Sequence, residues 1–165
     1  MIGRTSVSIL LLFFLYTISY AQPKLVADVQ PVKVFYIGED EKNYEKLVQN
    51  YNTMLFAVCN NNMEQAFDNW SVLLKDLEDF SIASNFDMKG VKLWLNVFWS
   101  KDGNIDYIVF YPKPNSRNLN YDDVKILLTN FVKSYQSPLK YNTKFSHYGS
   151  AAFPVFSKSV IGREK

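Results

Sequence analysis

Apolar positions along this chain change their period twice, and each change marks a change of element. In the lead-in, residues 22–40, Val32, Val34 and Tyr36 alternate with Lys33 and Phe35, which predicts a short strand. The spacing then becomes helical. Tyr44, Leu47, Val48, Tyr51, Met54, Leu55 and Val58 recur at three- and four-residue intervals and predict one helix from Asp40 to Cys59. Asn60-Asn61-Asn62 interrupts the stripe, because asparagine favours turns and caps. Met63, Ala66, Phe67, Trp70, Leu73, Leu74 and Leu77 define a second helix, with Asn62 as its cap and Gln65 three residues later. The pair reads as a helical hairpin, and its apolar faces require a surface to pack on.

From Val91 the period is two. Val91, Leu93, Leu95, Val97 and Trp99 point one way, and Lys92, Trp94, Asn96 and Phe98 the other. Asp102-Gly103 separates this run from a second one carrying Ile105, Tyr107, Val109 and Tyr111 on one side, the pattern of a β-hairpin. A third helix is expected from its cap Asn120, with Val124, Leu127, Leu128, Phe131, Val132 and Tyr135 as its stripe and Ser137-Pro138 as its stop. A final strand over Thr143 to Phe156 contains Gly149 and Pro154, so an edge position or a bulge is expected. The fold class is α+β: a small antiparallel sheet with a ββαβ core (residues 91–156) and an N-terminal amphipathic helical hairpin packed on it (within residues 22–90). The third helix covers one hairpin face. Trp94, Phe98, Ile108 and Phe110 are assigned to the other, which is covered by the helical pair or left as a binding surface.

Upstream of this pattern, Arg4, the apolar run Val7 to Ile18 and the small residues of Ser19-Tyr20-Ala21 form the three parts of a secretory signal. The run falls short of the roughly 20 apolar residues that span a bilayer. The expectation is removal of residues 1–21, leaving residues 22–165 as a single globular domain that is periplasmic or secreted and has no stable membrane insertion. Gln22, not cysteine, follows the cleavage point, so a lipoprotein is not expected. Apolar residues make up 48% of the chain and aromatics 16%, a composition able to bury a core. The net charge of +2 offers no electrostatic footprint for nucleic acid. Cys59 is the single cysteine, which excludes an internal disulfide.

The hairpin around Lys101-Asp102-Gly103-Asn104, the helix from Leu119 to Tyr135, the break at Ser137-Pro138 and the closing Ala152-Phe153-Pro154-Val155-Phe156 together resemble the C-terminal domain of TonB-type periplasmic proteins. That resemblance implies a strand–strand–helix–strand core and partner binding by backbone pairing at an exposed edge. Members of that family keep an N-terminal anchor and a long Pro-rich spacer. Here the leader is expected to be removed and no such spacer follows, so energy transduction is not implied.

Catalytic signatures are missing. His147 is the single histidine, and no HExxH, CxxC, GxSxG or Gly-rich phosphate loop occurs, so no catalytic residue, cofactor or metal is expected. A Cys59–His147 pair lacks a surrounding motif. The carboxylates at Glu39-Asp40-Glu41, Asp76/Glu78/Asp79 and Asp122-Asp123 fall at helix starts or on polar helix faces. Two segments carry candidate binding residues. One is the last strand, with Phe145, Tyr148, Gly149, Ser150, Ala151 and Ala152; the other is the loop with Asn115, Arg117 and Asn118. The resulting expectation is a non-enzymatic interaction module that binds an envelope or extracellular protein. The alternative is a carrier of a small apolar ligand or lipid in a cavity near Trp94, Phe98 and Phe110; a hydrolase is a remote third reading.

Overall fold

The computed structural model describes residues 33–156. The signal segment, the lead-in up to Val32 and the tail from Ser157 lie outside the described residues. The elements run β1 (Val34–Tyr36), α1 (Glu41–Asn50), β2 (Thr53–Met54), α2 (Leu55–Val58), α3 (Met63–Ala83), β3 (Lys92–Trp99), β4 (Ile105–Pro112), α4 (Tyr121–Ser134) and β5 (Phe145–Ala152). The five strands form one open sheet in the order β1-β4-β3-β5-β2. The sheet is mixed, not wholly antiparallel as expected. β3 pairs antiparallel with β4 and β5, whereas the short outer strands β1 and β2 run parallel to β4 and β5.

Local chemistry explains most element boundaries. The Asp40 carboxylate accepts from Asn43 N at the start of α1, Asn62 Oδ1 accepts from Gln65 N at α3, and Asn120 accepts from Asp122 N at α4. Asn60 and Asn61 adopt φ of 55° and 58°, the left-handed turn that asparagine tolerates. In the hairpin, Ser100 and Asn104 close a three-residue loop in which Gly103 takes φ 86°. A Cβ at Gly103 would lie 2.6 Å from the carbonyl oxygens of Leu139 and Ser137, so close packing as well as the turn requires glycine there.

Three differences from the sequence expectations matter. First, the stripe from Asp40 to Cys59 is not one helix. α1 ends at Asn50, β2 follows, and α2 carries Leu55 and Val58 into a different core. Leu47 and Tyr51 pack with Phe35, Phe98 and Val109 on one side of the sheet, whereas Leu55 and Val58 join the main core on the other. The chain crosses the sheet edge between them, and a continuous helix cannot serve both faces.

Second, the β3–β4 register shifts between Phe98 and Trp99. Phe98 opposes Tyr107 and Trp99 opposes Ile105, which leaves Asp106 as an extra residue. This bulge puts Ile105 on the side of Ile108 and Phe110, opposite Tyr107, Val109 and Tyr111. Register pairs Leu95 with Phe110 and Val97 with Ile108, so Phe110 and Ile108 do not share a face with Trp94 and Phe98. Third, α3 and α4 lie side by side on the same face, with Phe80 and Phe131 rings 5.6 Å apart, and both pack on Leu93, Leu95, Val97, Ile108 and Phe110. Among the described residues only α1 covers the opposite face. Its 10 residues reach about 15 Å, against about 26 Å for an eight-residue strand. Part of that face stays in water.

The strand with Gly149 and Pro154 meets the edge expectation over most of its length. β5 ends at Ala152, so Pro154, which follows a cis peptide bond, falls beyond the ladder. β5 is outermost only past Ser146, because β2 pairs with Phe145 and Ser146.

Tyr51 holds α1 in place. Its hydroxyl donates to Asp106 Oδ2 at 2.7 Å, its carbonyl accepts from Ser146 Oγ at 2.8 Å, and its ring meets Phe98 edge-on at 5.3 Å. Burial, then the neighbouring Asp106 carboxylate, pushes the phenol pKa upward and keeps it a donor. Replacement of Tyr51 by Phe is expected to cost about 1–2 kcal/mol, because it strips a hydrogen bond from a charged, half-buried acceptor. Urea unfolding of the two proteins measures it.

Candidate functional site

The bare part of the sheet holds side chains from three adjacent strands. Alternation places Lys92 and Trp94 of β3, Tyr111 and, just past its end, Lys113 of β4, and Tyr148, Ser150 and Ala152 of β5 on this side. Trp94 directly opposes Tyr111 across one pairing and Ser150 across the other. The Trp94 and Tyr148 rings stack at 5.6 Å with an 18° interplanar angle. Lys113 reaches across Trp94, with Nζ 3.9 Å from the indole centroid, and donates to Ser150 Oγ at 2.7 Å. Tyr111 and Tyr148 are 50% and 52% exposed and Trp94 is half-buried, so the three aromatics form one accessible patch.

Asn96, one step further along β3, marks the boundary with α1. It is buried, its Nδ2 donates to the Tyr44 hydroxyl at 3.2 Å, and its Oδ1 lacks a hydrogen-bond partner.

The candidate residues from the last strand divide by parity. Tyr148, Ser150 and Ala152 are exposed on the bare face, whereas Phe145 and Ala151 are fully buried in the main core. Gly149 faces α3; a Cβ there would come within 2.8 Å of the Trp70 ring. Trp70 Nε1 donates to the Ser150 carbonyl at 3.2 Å, so one edge acceptor of β5 is already in use. In the loop, Asn115 and Asn118 are exposed. Arg117 is committed to Asp87, pairing with the carboxylate at 2.6 Å and also donating to the Asp87 carbonyl. That guanidinium lowers the Asp87 pKa and ties the loop to the α3–β3 connection. Arg117 is therefore a brace, not a free anion contact.

Phe98 and Phe110 are both fully buried and lie on opposite faces, so they do not line a shared cavity with Trp94. An open hollow of about 300 Å³ lies elsewhere, between Phe80, Phe86, Ile126 and Leu127 of the α3–α4 side. Burial pushes the Cys59 thiol pKa up, Asn69 Nδ2 approaches its sulfur, and His147 rests on the Trp70 ring at 4.6 Å. Trp70 of the Asn69-Trp70-Ser71 sequence is buried within α3.

The carboxylates do structural work: Glu39 pairs with Lys125, Glu78 and Asp79 share Lys75, and Asp122 and Asp123 sit in the first turn of α4. Among the described residues no group of three His, Cys, Asp or Glu side chains could hold a metal ion, and no helix is long and apolar enough to cross a membrane. No family model, curated protein or solved structure matches the chain.

Tyr111 escapes the sequence reading, and Lys113 enters it only as the first residue of the candidate loop before α4. Tyr111 shares a side with Trp94 only once the register is known, and Lys113 reads as loop. The usable signal is the recurrence of Trp94, Tyr111 and Tyr148 at positions that would otherwise be the wet side of their strands.

His147 provides a pH test of the site's underside. Burial lowers its pKa below the ordinary 6.5, so the folded protein binds fewer protons than the unfolded chain as pH falls below 6.5. Stability is therefore full above that value and declines toward pH 5. Urea midpoints at pH 7.5 and 5.0 are expected to differ less for His147→Gln than for the parent.

Proposed function

We propose that the protein is an exported, non-enzymatic binding module of the cell envelope or secreted space, with its contact surface on the β5 half of the sheet. One observation carries this reading: Tyr111, Trp94 and Tyr148 form an exposed aromatic patch on a sheet face that α1 leaves open. A patch of this kind on a folded domain marks a binding surface more often than a structural surplus. The signal-like first 21 residues support export. The succession β3, β4, α4, β5 supports a ββαβ core of the TonB C-terminal kind, with the N-terminal helical segment as an addition to it.

The face is a better contact than the edge alone. β2 already pairs with the first two residues of β5, and Trp70 occupies the Ser150 carbonyl. Strand addition past Tyr148 would extend the same surface and would not compete with it. The carrier reading has less behind it, because Phe98 and Phe110 fill separate cores.

The test is site-specific photo-cross-linking in the native envelope, with a benzophenone side chain at Tyr148, at Tyr111 or, as control, at Ile126 on the α4 surface. The expected result is higher-mass adduct from the first two positions and none from Ile126. No adduct at either tyrosine, or equal adducts at all three, overturns the assignment.

A further inference from the structure

We propose that the bare sheet face binds an acidic polysaccharide, with Lys113 contacting a sugar carboxylate and Tyr148 and Tyr111 stacking on pyranose rings. This rests on the binding-module reading and names the ligand class of the same surface. Charge comes first. The patch contains Lys113 and Lys92 among Trp94, Tyr111, Tyr148, Ser150 and Ala152, and no acidic residue. None of the ion pairs among the described residues involves Lys113. Its ammonium is held by a ring and a hydroxyl, which position the charge at the centre of the patch and do not neutralise it. An anion meeting Nζ there interacts against a low-dielectric aromatic floor, where a charge pair is stronger than in bulk water.

Ring geometry selects the body that carries the anion. Aromatic faces are electron-rich, and the axial C–H hydrogens of a pyranose carry partial positive charge, so the two stack favourably. Half-exposed Tyr111, and the face of half-exposed Tyr148 turned away from its stack on Trp94, offer such faces next to the Lys113 charge. Sugar hydroxyls at the rim stay in water or reach Ser150 and the tyrosine hydroxyls. A peptide laid on the same face fares worse. The backbone groups of β3 are already bonded to β4 and β5, so the peptide's own N–H and C=O groups find no main-chain partners there.

The experiment is affinity electrophoresis of the purified protein through gels containing polygalacturonate, neutral hydroxyethylcellulose or poly-L-glutamate. The expected result is retardation by polygalacturonate alone. It should weaken at least fivefold in Lys113→Met and in Tyr148→Ser, and be retained in Lys113→Arg. Equal retardation by poly-L-glutamate, or unchanged retardation of Lys113→Met, overturns the proposal. Absence of retardation together with a persistent cross-link from Tyr148 also overturns it while leaving the binding module standing; loss of both removes both.

Discussion

The arrangement depends on one strand being hydrogen-bonded along both of its edges. β3 pairs with β4 from Leu93 to Trp99 and with β5 from Lys92 to Trp99, so its alternation is imposed on the three middle strands at once. Leu93, Leu95 and Val97, each nearly or fully inaccessible, are committed to the core under α3 and α4. Asn96 and Phe98 are committed to the space under α1, and Trp94, next on the same side, has none of the described helices above it. A one-residue slip would turn all of these over together. The placement of the aromatic patch is therefore a consequence of the main core, and no surface feature has to specify it separately.

Which half of the second face stays bare is decided by the bulge. Asp106 is the extra residue of β4, and it is also the acceptor for the Tyr51 hydroxyl at the end of α1. The Ser146 hydroxyl donates to the Tyr51 carbonyl at the start of β5, and Lys144 Nζ lies 4.9 Å from the Tyr51 ring. These contacts pin the C-terminal end of α1 at the turn end of the hairpin. A ten-residue helix fixed there covers Phe98 and Val109 and stops at Asn96. The bulge, the break after Asn50 and the exposed Trp94 are thus one linked set of features, joined through Tyr51.

Much of the local structure was legible in the residues themselves because its causes are local. Asn62 and Asn120 cap the helices they precede, Asp102-Gly103 turns the hairpin, and the stripes of α4 and of α3 from Trp70 onward show which sides are buried, whereas Met63 and Phe67 of the expected α3 stripe are 69% and 58% exposed. What was not legible depends on contacts distant in sequence. The stripe through Tyr51, Met54 and Leu55 has helical spacing, yet Met54 is 61% exposed and Leu55 is buried on the far side of the sheet. The helical period persists across a break that only the sheet edge explains. The alternation in β4 looks unbroken through Asp106, because a bulge changes register and not composition. Errors of that kind placed Ile108 and Phe110 with Trp94 and hid Tyr111 as its partner. Arg117 shows the converse: a residue suited to bind a ligand is consumed by Asp87.

Everything above requires Trp94 to belong to a solvent-facing patch while the other two tryptophans are packed. Trp70 and Trp99 are only 6% and 3% exposed. The direct measurement is ¹⁹F NMR of the protein labelled with 5-fluorotryptophan, with each signal assigned by a Trp→Phe variant and a neutral gadolinium chelate added as probe. The account predicts that the Trp94 resonance alone broadens strongly and shifts between H₂O and D₂O. Equal protection of all three resonances would contradict it, since α1 or another segment would then have to cover the face described as bare.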